Sequence, residues 1–259
     1  MTLIGCCSPI EDAAQVQAAG FDYIETTVVR LAAEADEAAF AAQMQQYRSS
    51  PVPIRSCNVF LPGDLKIVGP SVERDRVQAY VERALRRVQA VGAQLVVFGS
   101  GGARRVPEGF PRDQAMQQLA QFLHTVADQA ELRGITIAIE PLNRKECNIL
   151  NSVAEAVELA ELVDRKPVRV LADFYHLDEE HEPIEHLVRY GEWIAHIHVA
   201  DSGRRAPGMG QYPYAEFAAA LRQIGYRGMV SVECPWGDFA AEAPAAVQFL
   251  RRTFGGDPW

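Results

Sequence analysis

Four acid or imidazole side chains stand where a short apolar run ends. Glu140 closes Ile137-Ala138-Ile139-Glu140, Asp173 closes Val170-Leu171-Ala172-Asp173, His198 falls in His196-Ile197-His198-Val199, and Glu233 closes Val230-Ser231-Val232-Glu233. Any one of them alone could simply open a solvated loop. Brought together, they would crowd three carboxylates that repel one another and lose hydration. A divalent cation offsets that cost, and three carboxylates with one imidazole suit Mn2+, Mg2+, Co2+ or Zn2+ without a soft thiolate. The pattern predicts one divalent metal ion held by Glu140, Asp173, His198 and Glu233. His196 shares the strand face of His198, two residues away, and reads as a layer residue below it.

The elements that must place these residues are legible as short apolar runs alternating with longer amphipathic stretches, the pattern of a parallel sheet covered by helices. Expected strands are Leu3–Cys6, Tyr23–Glu25, Ile54–Asn58, Leu95–Phe98, Ile135–Glu140, Val168–Ala172, Ile194–Val199 and Met229–Glu233. Apolar spacing of three to four predicts helices over roughly 10–19, 35–48, 72–91, 112–133, 152–164, 183–190, 214–224 and 240–253. Gly20, Gly92, Gly134 and Gly225 sit where C-terminal caps belong. Eight such units at a repeat of about 32 residues predict a (β/α)8 TIM barrel, with reacting groups at the C-terminal ends of its strands. A doubly wound open sheet is the competing fold, but it would bring a G-x-G-x-x-G turn after an early strand, and none occurs there. No linker or composition shift divides the chain, so a single domain spanning 1–259 is expected.

Composition narrows the partners. The chain has 259 residues, with 25 Lys and Arg against 34 Asp and Glu, a formal net charge of -9. That balance argues against nucleic acid, whose phosphates need a basic face. No apolar run is long enough to cross a membrane, and the first residues lack the pattern of a secretory leader, so a cytoplasmic protein is expected. The five cysteines, Cys6, Cys7, Cys57, Cys147 and Cys234, are scattered and read as free thiols.

Further polar residues cluster just past the strand ends. His176 follows Asp173 by three residues, while Glu146 and Arg204 stand six residues after Glu140 and His198. On spacing alone Glu146 and Arg204 fit a solvated surface as well as a site. Cys6, Cys7, Glu25, Asn58, Phe60, Ser100 and Trp236 are candidates to line the substrate end, with plain packing the alternative for Phe60 and Trp236. His124, His181 and His186 fall in helical or loop stretches and read as surface residues. Arg104-Arg105 is a faint hint of a phosphate site.

Four segments carry a family resemblance: Ile139-Glu140-Pro141-Leu142-Asn143-Arg144-Lys145-Glu146, Leu171-Ala172-Asp173-Phe174-Tyr175-His176, His196-Ile197-His198-Val199-Ala200-Asp201 with Arg204 and Pro207-Gly208-Met209-Gly210, and Gly225-Tyr226-Arg227-Gly228 leading to Ser231-Val232-Glu233. They resemble the xylose-isomerase-like sugar phosphate isomerase/epimerase superfamily, in motif most like the D-tagatose/D-psicose 3-epimerases. The resemblance is close from about residue 135 onward and rests on βα rhythm alone before that. It implies that Glu140, Asp173, His198 and Glu233 bind one divalent metal and that Glu140 and Glu233 are the acid/base pair. It also implies that Glu146, His176 and Arg204 bind a ketose or related polyol, converted through an enediolate. Hydroxypyruvate isomerases and keto-inositol dehydratases share the scaffold, so those reactions stay as alternatives. Endonuclease IV also belongs there but needs extra histidines at the rims of the third and fourth strands and after the seventh. This chain has Cys57-Asn58, Phe98-Gly99 and a histidine-free Ser202–Pro207 loop instead. The resemblance further suggests a homo-oligomer, dimer or tetramer.

Overall fold

The computed structural model describes residues 2–31 and 33–255. The outer ends of the single-domain expectation, Met1 and 256–259, lie outside the described residues.

Eight strands pair in sequence order into a closed barrel. They are β1 (Leu3–Cys7), β2 (Tyr23–Thr27), β3 (Ile54–Asn58), β4 (Leu95–Phe98), β5 (Thr136–Ile139), β6 (Val168–Asp173), β7 (Ile194–Val199) and β8 (Met229–Val232). Every neighbouring pair is parallel, and β1 closes on β8 through Leu3 opposite Met229. Parallel pairing demands a crossover between successive strands, and helices supply it. These are α1 (Ala13–Ala18), α2 (Glu37–Arg48), α3 (Arg74–Ala90), α4 (Gly101–Arg104), α5 (Arg112–Glu131), α6 (Val153–Val163), α7 (Phe174–Glu179), α8 (Glu185–Arg189), α9 (Tyr214–Gln223) and α10 (Phe239–Phe254).

All eight expected strands form. The expected first helix is divided into a 3-10 turn at Ile10–Asp12 and the short α1. Gly20, Gly92, Gly134 and Gly225 all take positive φ at helix ends. Two helices have no periodic signal, because α4 and α7, of four and six residues, are shorter than the two turns over which a 3.6-residue pattern repeats. One of them bears on the site: α7 begins immediately after β6, with Asp173 as its N-cap accepting from the Tyr175 amide at 2.8 Å.

The main apolar core lies between sheet and helices. Inside the barrel a smaller cluster of Leu95, Val97, Ala138 and Leu171 fills part of the interior. Strand alternation gives the inward positions of β7 to His196 and His198, and those of β8 to Met229, Ser231 and, just past its end, Glu233. Gly5 is required by this packing, since a Cβ there would meet the Tyr23 ring at 2.1 Å. The register skips Arg55 of β3 opposite Ile24 and Glu25, and Ala195 of β7 opposite Val170 and Leu171. Each skipped residue precedes one that faces the barrel interior, Ser56 and His196, a usual place for a bulge to re-aim a side chain.

Candidate metal centre and substrate cavity

Glu140 and Glu233 follow the last residues of β5 and β8, Asp173 ends β6, and His198 is the penultimate residue of β7. Register sets Asp173 opposite His198. Ligand atoms of Glu140, Asp173, His198 and Glu233 all lie within 4.8 Å of one another. His198 Nδ1 is 3.3 Å from Glu140 Oε1 and 3.7 Å from Glu233 Oε2. Three of these atoms, Glu140 Oε1, Asp173 Oδ2 and His198 Nδ1, are buried without a hydrogen-bond partner. Buried polar atoms are rarely left so in a folded protein. Three orphaned donor atoms, two carboxylate and one imidazole, converging with a third carboxylate fit a divalent cation of hard or borderline character.

Electrostatics follow from that crowding. Burial drives the Asp173 carboxyl above its ordinary range, against the pull of His176. Burial would raise Glu233 as well, but its contacts with His198 and the Arg204 charge hold it at about 2. For His198, burial opposes the charged ring, yet the Glu25 charge and the nearby carboxylates of Glu140 and Glu233 push it well above the usual imidazole value.

Glu25 has a different position from the one expected. It does not line the substrate end but lies buried in the barrel, 2.7 Å from His198 Nε2 through Oε1. Its Oε2 is 2.7 Å from His196 Nε2 and accepts the hydroxyls of Ser56 at 2.6 Å and Ser231 at 2.7 Å. Tyr23 completes the group through a 2.7 Å bond to Ser231. His196 is thus the layer residue below His198, as its spacing suggests. The Cys7 sulfur comes within 4.8 Å of Glu25 and His198 ligand atoms, but that carboxylate is already taken up by four donors.

Above the four ligand candidates opens a cavity of about 340 Å3, lined by Asn58, Glu140, Glu146, His176, Arg204 and Glu233 on its polar side and by Val59, Leu61 and Leu142 on its apolar side. The expected rim residues meet here. Arg204 bonds Glu233 Oε2 at 2.8 Å and Glu146 Oε1 at 3.2 Å, with its guanidinium 4.8 Å from the centre of the Tyr175 ring. Asn58 donates to Glu233 Oε1 at 3.0 Å. His176 Nδ1 faces two donors, the Asn143 amide N–H at 3.2 Å and its side-chain Nδ2 at 2.9 Å. The backbone donor makes Nδ1 an acceptor, so a neutral ring carries its proton on Nε2, which is buried and unpartnered at the cavity.

Two backbone features shape the walls. Gly99 has no room for a side chain, because a Cβ there would stand 2.1 Å from Glu140 Oε2. Val59, Ser100 and Arg204, all lining residues, have positive φ of 45°, 41° and 59°. Such strain needs surrounding contacts to hold it. Ser100 Oγ accepts the Leu61 amide at 3.0 Å, and Lys66 Nζ donates to the carbonyls of Gly63 and Gly102 at 2.6 and 2.9 Å.

Other expected pocket residues lie elsewhere. Phe60 is fully buried against Tyr80, Phe98 and Phe122, outside the cavity wall. Trp236 packs edge-on against Phe21 and Phe239. Cys6 belongs to the buried core, where its thiol is raised by burial. Arg104 offers no phosphate site, since its buried guanidinium donates to the backbone carbonyls of Phe98 at 3.0 Å and Glu140 at 2.8 Å. Arg105 is bound to the Glu146 carbonyl. Sequence reasoning gave no role to Asn143 or Tyr175, whose partners are set only by the fold of their loops. No helix among the described residues is long and apolar enough to cross a membrane.

Comparison with known proteins agrees with this architecture. A family model described as Xylose isomerase-like TIM barrel matches residues 13–253. D-psicose 3-epimerase of Agrobacterium fabrum is 32% identical over 163 residues, 60% of this chain and 55% of the relative, so the match spans about half of that enzyme. A 3-dehydro-D-guloside 4-epimerase of Escherichia coli is 28% identical over 187 residues, 69% of this chain and 70% of the relative. The crystal structure of a D-psicose 3-epimerase in the presence of D-fructose superposes with a TM-score of 0.86 at 22% identity, covering 98% of this chain and 100% of the other.

Proposed function

This chain belongs to the xylose isomerase-like TIM barrel family, and from that premise we propose that it is a divalent-metal-dependent epimerase or isomerase of an unphosphorylated ketose or related polyol, acting as one domain. The observation that carries the reading is the convergence of the orphaned atoms of Glu140, Asp173 and His198 with Glu233 at the floor of the cavity. These four residues would hold one ion, Mn2+, Mg2+, Co2+ or Zn2+. When bound, such an ion polarises a substrate carbonyl and makes the neighbouring C–H more acidic.

The remaining chemistry belongs to the chain. Glu140 and Glu233 reach the cavity from β5 and β8, with β6 and β7 between them. One carboxylate removes the proton, and the other, in its acid form, returns a proton to the opposite face and inverts the centre. Return to the adjacent carbon instead exchanges ketose and aldose. His176, with its proton on Nε2, and the Arg204 guanidinium donate to the oxygens on which negative charge grows as the proton leaves. Glu146, itself held by Asn143 at 3.1 Å and by Arg204, accepts from a substrate hydroxyl.

Two observations support the substrate class. The named relatives are 3- and 4-epimerases of keto sugars and a keto glycoside. Among the described residues lining the cavity Arg204 is the one Lys or Arg, and it also answers to the carboxylates of Glu233 and Glu146, a thinner cationic lining than a phosphate ordinarily meets. The test is product identity when Mn2+-loaded protein is incubated with unphosphorylated ketoses, keto-inositols and hydroxypyruvate. An epimer or aldose of unchanged mass is expected. A product lighter by one water would replace this reading with a dehydratase, and no conversion of any ketose would remove it.

A further inference from the structure

Glu25 is the middle residue of β2, 1% exposed, below the cavity and absent from its lining. Both its oxygens are engaged: one faces His198 Nε2, the other faces His196 Nε2, Ser56 and Ser231. His196 and His198 are separated by two residues and share the inward face, so one carboxylate spans both rings. A buried charge kept only for stability is poor value, because well-packed apolar residues often do as well or better. The same barrel interior is packed with Leu95, Val97, Ala138 and Leu171, so this fold can fill such space without charge.

We propose that Glu25 is a positioning residue of the metal centre: by accepting the Nε2–H of His198 it fixes the ring's tautomer and rotation and leaves Nδ1 as the atom facing Glu140, Asp173 and Glu233. His196 and the two serines are the remaining donors that hold the carboxylate in place. The inference rests on reading those four residues as a metal site. A ligating imidazole whose far nitrogen donates to a carboxylate is both oriented and made more basic, and loss of such a partner typically weakens metal binding about 10–100-fold. β2 runs on to Thr27, two residues past Glu25, so Glu25 takes an inward position one step below the strand end and lies beneath the rings rather than at the substrate.

The test uses the full chain, stripped with a chelator and titrated calorimetrically with Mn2+. Glu25→Gln, which keeps size but cannot accept both ring protons as a charge, is expected to bind Mn2+ about 10–100-fold more weakly. Tyr23→Phe disturbs the same group only through Ser231 and is expected to keep the unaltered affinity. An equal loss in both variants, or unchanged affinity in Glu25→Gln, overturns the positioning role. If the unaltered chain takes up no Mn2+, the metal reading itself falls. A second measurement needs no variant: 15N NMR of the histidine rings in Zn2+-loaded protein. Both His196 and His198 are expected to carry a proton on Nε2, downfield and slow to exchange. A proton on Nδ1 of His198 would overturn the inference even if Glu25→Gln does not fold.

Discussion

At the scale of single residues, the site divides into atoms left without partners and atoms already engaged. Glu140 Oε1 and Asp173 Oδ2 are buried and orphaned, whereas both oxygens of Glu233 are bonded, to Asn58 and Arg204. Glu233→Gln should therefore retain part of its metal content while turnover drops by about 10²–10⁴-fold, the usual worth of a general acid or base. Metal analysis beside kcat checks this, and near-normal turnover would remove Glu233 from the acid/base pair. Asn143→Ala takes away the side-chain donor to His176 Nδ1 while the backbone N–H stays. It also releases Glu146 Oε1 and the amides of Lys145 and Glu146, so KM for the ketose should rise several-fold and stability should fall by about 1–3 kcal/mol. The ligand candidates were legible because a charged residue ending an apolar strand has a recognisable sequence context. Glu25 has the same context, yet its partners are 171 and 173 residues away, and only barrel closure shows that it faces inward beneath them.

At the scale of elements, the rhythm of strands and helices is fixed by alternation and spacing, and all eight strands stand where those patterns put them. What the rhythm does not carry is the short α7, built on Asp173 as its cap, and the sidedness of residues just past a strand end. Phe60 and Asn58 are two residues apart, yet Val59 between them takes φ of 45° and breaks the alternation, sending Phe60 into the core. The junction after β4 gives a prediction of its own. Gly99→Ala would place a Cβ against the Glu140 carboxylate, at 2.1 Å before relaxation. Either that carboxylate or the strand end must shift, at a cost of about 1–3 kcal/mol. Denaturant unfolding should show the loss, and Mn2+ affinity should fall with it. Unaltered stability and affinity would mean that Glu140 does not occupy the orientation described.

At the scale of the whole molecule, a cation that binds only the folded chain must stabilise it. At about a hundredfold excess over Kd the gain is ~2.7 kcal/mol, which for a chain of this size raises Tm by roughly 5–10 °C. Asp173→Asn should lose most of that rise. The thiols report on the same fold: burial pushes Cys234 up to about 12 and raises Cys6 and Cys57 further. A raised thiol is scarcely ionised at pH 8, so alkylation of native protein should be slow and should quicken with pH, while unfolded protein reacts fast. Rapid native labelling of Cys57 would argue against its burial. The net charge of -9 also takes a more specific form, since three of the 34 acidic residues converge with His198 at one point of the barrel mouth. The most direct measurement of the central claim follows the substrate's C–H in D2O, with Mg2+-loaded protein and a ketose that it converts. The account predicts solvent deuterium at the carbon that loses its proton, in step with turnover, abolished by a chelator and restored by adding Mg2+ back. Product formed without deuterium at that carbon, or turnover that survives complete removal of the metal, would contradict it.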